Sequence, residues 1–441
     1  MAALIFVDGY HYNKEKNSNG NTKILDKEKT ATMSVLERFL EYVSIGSSSR
    51  RNAGQTPSTM NQFDLAHQLA FELREMGLAD AVVDNHCFVY AHLPASPGYE
   101  KCPALGLIAH LDTHPDCPGE PVRLQIIRNY NGEDVPLGDS GLTLQRRYYP
   151  HLSTLKGKTL ITTDGTTLLG ADDKAGIAEI MTALEQVIQS KKPHGPLSLA
   201  FMPDEEIGSG TASFDLSRFQ ADCAYTVDGW EAGEIEEETF NAMQAAVQLR
   251  GVSTHTGRAK GCMINANLLA LEFAALLPQK EIPAETSGRE GFFHLLRMES
   301  TVEQARLVYN LRDFTEEGIA RRMELLQQAA ATLNHRWGEG TAQIRCTEEY
   351  RNMKEKLDEH PQLVEKARLA CLAAGVTPHV VAARGGTDGA RLTYAGLPCP
   401  NLGLGGWAYH SPYEHITQEA MEQVTAILRE LIFLFAEAES I

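Results

Sequence analysis

The segment ALGLIAHLDTHPDC, residues 104–117, is an apolar run that passes directly into two histidines and two aspartates. Its apolar part is typical of a buried strand in a parallel sheet, and ligands bind beyond the carboxyl ends of such strands. His110 and Asp112 lie at that end. Because they are two residues apart on a strand, their side chains project from the same face. Taken alone, the pair is equally consistent with a hydrogen-bonded histidine followed by a capping aspartate.

Four more segments combine an apolar run with acidic residues or histidine. They contain Asp172 and Asp173 (TLLGADDKAGIAEIM), Asp204, Glu205 and Glu206 (LSLAFMPDEEIGSG), Asp228 (CAYTVDGW), and His410, Glu414 and His415 (NLGLGGWAYHSPYEH). Each has a simpler explanation: acidic residues at a helix start, a solvated turn, or an Asp-Gly turn. Since loops at strand ends of a doubly wound sheet converge at one edge, the coincidence at five strand ends favours one common site.

Histidines and carboxylates without thiolates suit zinc, manganese or cobalt in a two-metal hydrolytic site. Two such ions, ~3.5–4 Å apart, can share a bridging hydroxide and polarise a scissile carbonyl. This chemistry needs one carboxylate that bridges the ions and one that stays off them to move protons. The adjacent Glu205 and Glu206 can supply a ligand and a base.

Alternating strand and helix patterns must position these loops. Strands are predicted at 104–109, 197–202, 223–227 and 399–404, with helices at about 173–190 and after Thr417. This alternation predicts an α/β fold with a mainly parallel sheet flanked by helices. The corresponding domain is split into residues 31–239 and 353–441.

The pattern changes between residues 240 and 352, where the predicted order is β-α-β-β-α-β. This is the ferredoxin-like motif, which can form a small α+β domain of its own. The sequence therefore predicts an inserted second domain. Residues 1–30 are polar, rich in Lys and Asn, and are predicted to be a loose N-terminal extension.

Composition limits the possible partners and compartment. At 441 residues the chain exceeds one hydrophobic core, and its formal net charge of −18 disfavours nucleic acid or an anionic membrane surface. No secretory signal or apolar membrane span is evident. The eight cysteines occur singly, without a C-x-x-C pair, which is typical of reduced thiols in a cytoplasmic protein.

The motifs HLDTHPD, ITTDGTTLLGADDKAGIAEIMTAL, PDEEIGSG, YTVDG, RGGTDGARL and GLPCPN resemble the M20 family of dizinc metallopeptidases. Within it, they resemble the peptidase T group of tripeptide aminopeptidases, over residues 34 to 435. The resemblance implies a zinc-peptidase-like catalytic domain with an inserted lid or dimerisation domain. It also implies release of the N-terminal residue of tripeptides, by attack of a metal-bridging hydroxide with a glutamate as general base.

The resemblance implies specific roles for residues of the five segments. The implied ligands of two Zn²⁺ ions per subunit, with Mn²⁺ or Co²⁺ as alternatives, are His110, Asp172, Glu206, Asp228 and His410, with Asp172 bridging. Asp112 would orient and charge His110. Glu205 would be the general base that takes a proton from the attacking water and delivers it to the leaving amine. His114 and Asp116 match no family position and are treated as loop residues.

Three further positions matched by the resemblance lie outside this set. His255 matches a histidine that stabilises the tetrahedral oxyanion, often across a dimer interface, so a homodimer through the inserted domain is expected. Arg312 and Arg384 match residues that grip the carboxylate or backbone of the substrate. The alternatives are a structural histidine at 255 and salt bridges made by the two arginines.

The sequence departs from the family at Trp230 and Glu231, which follow Asp228 where glycine-rich sequence is expected, and at residues 411–413. Two alternatives to a tripeptide aminopeptidase are kept, of which Trp230 and Glu231 motivate the first. One is another M20 hydrolase, such as a dipeptidase, a carboxypeptidase or an N-acyl amino acid deacylase. The other is a non-catalytic peptide-binding protein with a relic site.

Overall fold

The structure is a computed structural model that describes the backbone of residues 4–6 and all of residues 32–437. Residue contacts divide the chain into two units. Unit 1 comprises residues 1–236, 360–380 and 395–441, and unit 2 comprises residues 237–359 and 381–394. Residues 381–394, which the sequence assigned to the catalytic domain, thus make most of their contacts with unit 2. The functional domain boundaries themselves stay a prediction.

The helices and strands are numbered in chain order. The helices are α1 (Val35–Val43), α2 (Gln62–Glu75), α3 (Ala171–Ser190), α4 (Leu216–Phe219), α5 (Ala266–Ala275), α6 (Glu316–Trp337), α7 (Lys354–Leu357), α8 (Pro361–Ala373), α9 (Asp388–Tyr394) and α10 (Gln418–Ala436). The strands are β1 (Leu4–Phe6), β2 (Val82–Val83), β3 (Val89–Leu93), β4 (Leu105–His110), β5 (Leu124–Ile127), β6 (Val135–Pro136), β7 (Thr143–Leu144), β8 (Leu160–Thr163), β9 (Leu197–Met202), β10 (Cys223–Gly229), β11 (Glu234–Thr239), β12 (Asn241–Arg250), β13 (Phe292–Ser300), β14 (Gln304–Asp313), β15 (Ala342–Tyr350), β16 (His379–Ala383), β17 (Asn401–Gly403), β18 (Gly406–Trp407) and β19 (His415–Thr417).

The main sheet has the strand order β16-β11-β17-β10-β4-β9-β3-β2. Its centre is parallel, since β10 pairs in parallel with both β17 and β4, and β4 pairs in parallel with β9. Every residue of β4 and β9 is buried, as expected for strands covered on both faces. The predicted mainly parallel α/β sheet is confirmed, and its antiparallel outer strands complete it.

Helices cover the central strands. The long α3 packs against β4 and β10, and α1 and α10 pack against α3. Ser34 starts α1 with a capping box, in which its hydroxyl accepts the N–H of Glu37. Thr417, predicted to mark the start of the last helix, caps α10 by accepting the N–H of Ala420 at 3.2 Å.

A second, antiparallel sheet with the order β1-β5-β8-β19-β18 also belongs to unit 1. The sequence did not predict it, because strands of two to four residues are too short for a recognisable alternation. Its edge strand corrects part of the predicted loose extension, since Leu4–Phe6 pair with Gln125–Ile127. The rest of the predicted extension, apart from these three residues, lies outside the described residues.

Unit 2 contains the predicted β-α-β-β-α-β order as β12-α5-β13-β14-α6-β15. Its four strands are antiparallel in the order β13-β14-β12-β15, which is the ferredoxin-like arrangement. The apolar faces of α5 and α6 close a core on this sheet that includes Val247, Phe273, Leu307 and Leu326. No helix within residues 32–437 is both long and apolar enough to cross a membrane.

A glycine in α3 allows this helix to approach β10 closely. A Cβ built on Gly176 would lie 2.2 Å from the carbonyl oxygen of Val227 and 2.2 Å from Oδ1 of Asp173. Val227 is the residue before Asp228, one of the predicted metal ligands. The spacing of the helix and the strand, and with it the position of that loop, therefore depends on a missing side chain.

We expect Gly176→Ala to destabilise unit 1 by about 1–3 kcal/mol, because the backbone of β10 must move to admit the methyl group. The measurement is the denaturant midpoint of the metal-free protein. Gly385→Ala is the matched control, since an added Cβ there meets no atom of the described residues within 4 Å. Equal midpoints for the two variants would contradict the close-packing argument.

Candidate metal centre

Five of the predicted site residues lie on separate segments of unit 1, at one edge of its parallel strands. His110 ends β4, Glu206 follows β9 in a short 3₁₀ turn, and Asp228 lies near the end of β10. Asp172 lies at the start of α3, and His410 lies in the loop between β18 and β19. The structure brings these side chains within hydrogen-bonding or ion-pairing distance of one another.

Asp172 lies between the two histidines. Its Oδ1 is 2.8 Å from Nε2 of His110, and its Oδ2 is 3.0 Å from Nε2 of His410. One carboxylate thus faces two imidazole nitrogens with different oxygens, which is the arrangement of a bridging ligand.

Each histidine also faces a second carboxylate of its own. Nε2 of His110 lies 3.5 Å from Oδ1 of Asp228, and Nε2 of His410 lies 3.0 Å from Oε2 of Glu206. The result is two half-sites, one with His110 and Asp228 and one with His410 and Glu206, which share Asp172.

The electrostatics of this cluster are those of an anionic site without its counter-charge. Burial raises the pKa of Glu206 to about 8 and that of Asp228 to about 7, and the charge of Asp172 adds to both shifts. Burial alone would lower the pKa of each histidine, but the carboxylates raise the pKa of His410 to about 11 and that of His110 well above its ordinary value. Ionisation of Glu206 and Asp228 is therefore disfavoured in this buried cluster unless positive charge lies beside them.

The donor set fits divalent metal ions. Imidazole nitrogens and carboxylate oxygens without thiolates suit zinc, manganese or cobalt. Donor atoms of His110, Asp172 and Glu206 lie within 4.8 Å of one another. Oε1 of Glu206 is buried, and among the described residues no hydrogen-bond partner contacts it, so a ligand atom is available in the site.

Asp112 contacts both His110 and the backbone of the adjacent glutamates, Glu205 and Glu206. Its carboxylate accepts the N–H groups of Glu205 at 3.0 Å and Glu206 at 3.3 Å. Nδ1 of His110 lies 2.9 Å from the backbone carbonyl of Asp112 and 3.6 Å from its carboxylate. The orienting hydrogen bond predicted for the carboxylate is therefore made by the carbonyl. A carboxylate oxygen of Glu205 lies within 4.8 Å of the donor atoms of His110 and Asp228.

Glu414 fixes the loop that carries Asp172. Its buried carboxylate accepts the N–H groups of Leu169, Gly170 and Asp172 at 2.8, 2.8 and 3.0 Å. The sequence singled out Glu414 without giving it a role. The structure thus gives it a structural one, because three main-chain donors converge on its carboxylate.

An aromatic pair stands beside the two half-sites. Trp230, two residues after Asp228, is 48% exposed and stacks on Tyr409, with ring centroids 4.7 Å apart. Tyr409 precedes His410, and its hydroxyl donates to the carbonyl of Gly229 at 2.9 Å. The unexpected tryptophan therefore rests on the loops that carry two of the predicted ligands.

His114 also approaches the site, although the sequence treated it as a loop residue. Its ring stacks on that of His410, and one of its nitrogens lies within 4.8 Å of donor atoms of Glu206 and His410. The signal was present, since His110, Asp112 and His114 alternate along the chain.

The other three predicted residues belong to unit 2. His255 is exposed, and its Nδ1 accepts the N–H of Gly257 at 3.2 Å. Arg312 pairs with Glu349 at 2.8 Å. Arg384 donates to two backbone carbonyl oxygens, each at 2.7 Å. The salt-bridge alternative is thus present for Arg312, whereas Arg384 contacts backbone carbonyl oxygens of unit 2 instead.

Comparisons with known proteins bear on this arrangement. A family model described as peptidase family M20/M25/M40 matches residues 163–433. Peptidase T of Aliivibrio salmonicida is 47% identical over 404 residues, which cover 91% of this chain and 98% of that protein. The chain belongs to family M20, in its peptidase T group. Another member of that group, peptidase T of Halothermothrix orenii, is 46% identical over 404 residues and covers 91% of this chain and 99% of its own.

Solved structures resemble this M20 peptidase along nearly its whole length. A tripeptidase from Staphylococcus aureus matches with a TM-score of 0.72 at 20% identity, over 92% of this chain and 98% of that one. Aminopeptidase PepT from Bacillus cereus matches with a TM-score of 0.69 at 22% identity, over 91% and 98% of the two chains. At these identities the likeness establishes the fold, which confirms the predicted fold class.

We expect metal binding to this M20 peptidase to release protons and to strengthen as the pH rises from 6 to 8. With the pKa of Glu206 near 8, that of Asp228 near 7 and that of His410 near 11, the metal-free cluster carries protons that an ion must displace. The apparent association constant for Zn²⁺ should rise at least ~10-fold per pH unit. Competition with a chelating dye measures the constant, and calorimetry in buffers of different ionisation enthalpy counts the protons. A pH-independent constant would refute the assigned protonation.

Proposed function

We propose that the protein is a dizinc aminopeptidase that releases the N-terminal residue from tripeptides. The observation that carries the chemistry is the carboxylate of Asp172, which faces His110 and His410 with one oxygen each. Identity of 47% to a peptidase T over 91% of the chain supports the substrate class. The proposed ligands are His110, Asp172, Glu206, Asp228 and His410.

The proposed mechanism divides the work between the two glutamates. Two divalent ions, when bound, polarise the scissile carbonyl and lower the pKa of a water. Asp112 holds the backbone of Glu205 and Glu206, so that their carboxylates can serve separate purposes. Glu206 would hold a metal ion, whereas Glu205 would accept a proton from the attacking water and pass it to the nitrogen of the leaving peptide.

Glu205→Gln and Glu206→Gln form a matched pair that tests this division. We expect Glu205→Gln to keep the metal content of the wild type while kcat falls about 10²–10⁴-fold, because a general base is lost. We expect Glu206→Gln to bind less metal. Elemental analysis after gel filtration gives the metal content. Loss of an ion from Glu205→Gln would instead make Glu205 a ligand, in line with its closeness to His110 and Asp228.

The substrate class is tested with a mixed pool of di-, tri- and tetrapeptides, each with a free or an acetylated N-terminus. We expect zinc-loaded protein to remove one N-terminal residue from free tripeptides alone, as followed by a mass-spectrometric time course. Glu205→Gln protein is the negative control. Cleavage of another class alone would keep the metal chemistry and identify a dipeptidase, a carboxypeptidase or a deacylase. Binding without any cleavage would identify a non-catalytic protein.

We also propose a homodimer that forms through the inserted domain, with His255 stabilising the oxyanion in the partner's site. Its support is the resemblance together with the exposure of His255 in unit 2. Full activity at a dilution where sedimentation detects only monomers would contradict it. Substrate binding by Arg312 and Arg384 stays a prediction that competes with their contacts in unit 2.

The cytoplasm is the proposed compartment. Cys87, Cys223 and Cys371 are buried free thiols. Free thiols are typical of proteins in a reducing compartment.

A further inference from the structure

His114 has no role in the mechanism above, yet its ring lies against that of a proposed ligand. The two rings are nearly parallel, with an angle of 5° between their planes and 3.9 Å between their centroids. We propose that His114 is a positioning residue that fixes the ring of His410 for metal binding, and that Arg51 and Asp116 hold His114 in place. The inference rests on the proposed function, because it takes His410 as a metal ligand.

The two proposed histidine ligands differ in how their rings are oriented. A metal-binding histidine ordinarily donates its second ring N–H to an oxygen, which fixes the ring plane. His110 follows this pattern, with Nδ1 2.9 Å from the carbonyl of Asp112. For His410 the hydrogen bonds found among the described residues involve Nε2 only. Another contact must therefore fix the ring plane of His410, and the stacked ring of His114 provides it.

His410 has particular need of such support. Its side chain is 44% exposed, and its backbone has a φ of 61° in a loop between two short strands. It lies outside the regular elements, and its polar contacts with Asp172 and Glu206 both involve Nε2, at one end of the ring. A planar partner stacked at 3.9 Å restricts the ring plane while leaving Nε2 directed at Asp172 and Glu206.

The same geometry argues against His114 as a ligand of the ion that His410 would bind. The lone pair of an imidazole nitrogen lies in the ring plane, and zinc binds it at ~2.0–2.1 Å. Two parallel rings whose centroids are 3.9 Å apart direct their lone pairs along parallel planes that do not meet at one ion. Nε2 of His114 is moreover 3.2 Å from Nη2 of Arg51, which donates to it. A ring that supports His410 from its face satisfies both observations.

Arg51 and Asp116 complete the arrangement from the outer side. The guanidinium of Arg51 donates to both carboxylate oxygens of Asp116, at 3.3 and 2.8 Å, in a bidentate pair. The same Nη2 reaches His114, so one guanidinium links the aspartate and the imidazole. One residue separates His114 from Asp116, so the contacts of Arg51 with both hold the loop that follows β4.

The test compares His114→Ala with His114→Phe, which keeps a planar ring but has no ring nitrogen. Zn²⁺ dissociation constants come from competition with a chelating dye, and the absorption spectrum of Co²⁺-loaded protein reports coordination geometry. We expect His114→Ala to weaken one of the bound ions ~10–100-fold and to alter the Co²⁺ spectrum. We expect His114→Phe to restore both towards the wild type. His67→Ala, which removes a ring stacked on Phe63 in α2, should change neither.

Each outcome supports or contradicts the positioning role of His114. Wild-type affinity and spectrum in His114→Ala would overturn the proposal, and so would a failure of His114→Phe to restore them, because the nitrogen would then be the essential atom. Arg51→Met provides a second variant if His114→Ala does not fold, and unchanged affinity and spectrum in that variant would also count against the proposal. His410→Ala separates the two levels. If it retains both ions, the ligand assignment of the proposed function fails, whereas its loss of an ion beside a normal His114→Ala overturns the positioning role alone.

Discussion

The buried carboxylate of Asp172, set between two imidazole nitrogens, is the interaction on which the rest of this site depends. Three acidic side chains within reach of two histidines would repel one another in the interior unless protons or cations neutralise them. The shifts of Glu206 and Asp228 to pKa values near 8 and 7 express that cost directly. The parallel strands β4, β9 and β10 place His110, Glu206 and Asp228 at one edge of the sheet, and the start of α3 adds Asp172. A cation bound at this edge can replace the protons and so reduce the repulsion. His410 closes the cluster from a loop.

Hydrogen bonds from main-chain N–H groups fix the segments that carry the carboxylates of the site. Glu414 collects three N–H groups of the loop before α3, and Asp112 collects those of both adjacent glutamates. Each of these acids therefore links two segments that are distant in the chain. The backbone of Asp112 also accepts from His110, so a single residue fixes the direction of a proposed ligand and the position of a proposed base. Loss of such a supporting contact typically costs about 10–100-fold in metal affinity or activity.

The sequence predicted those parts of the fold and the site whose local patterns are strong. The fully buried runs of β4 and β9 and the two-residue spacing of His110 and Asp112 are strong signals, and the side chains predicted to converge do lie together in unit 1. The antiparallel second sheet was not predicted, because its strands are too short to show an alternation of apolar and polar residues. His114 continues the alternation of His110 and Asp112, but its contacts with His410 and Arg51 are created only by the fold. Residues 381–394, which the sequence analysis placed in the catalytic domain, group with unit 2 by their contacts, and no local pattern in the sequence signals this.

Trp230 is connected to the proposed metal centre through the segments that carry Asp228 and His410. Trp230 lies two residues after Asp228, and the ring on which it stacks belongs to Tyr409, next to His410. The hydroxyl of Tyr409 in turn bonds to the carbonyl of Gly229, so the aromatic pair and the ends of both ligand loops form one unit. The half-exposed indole offers apolar contact area at the surface, and its stack on Tyr409 restricts the plane of the ring. A preference of Trp230 for particular substrate side chains would therefore depend on the same loops that position Asp228 and His410. A glycine at position 230 would remove both the apolar contact area of the indole and its stack on Tyr409.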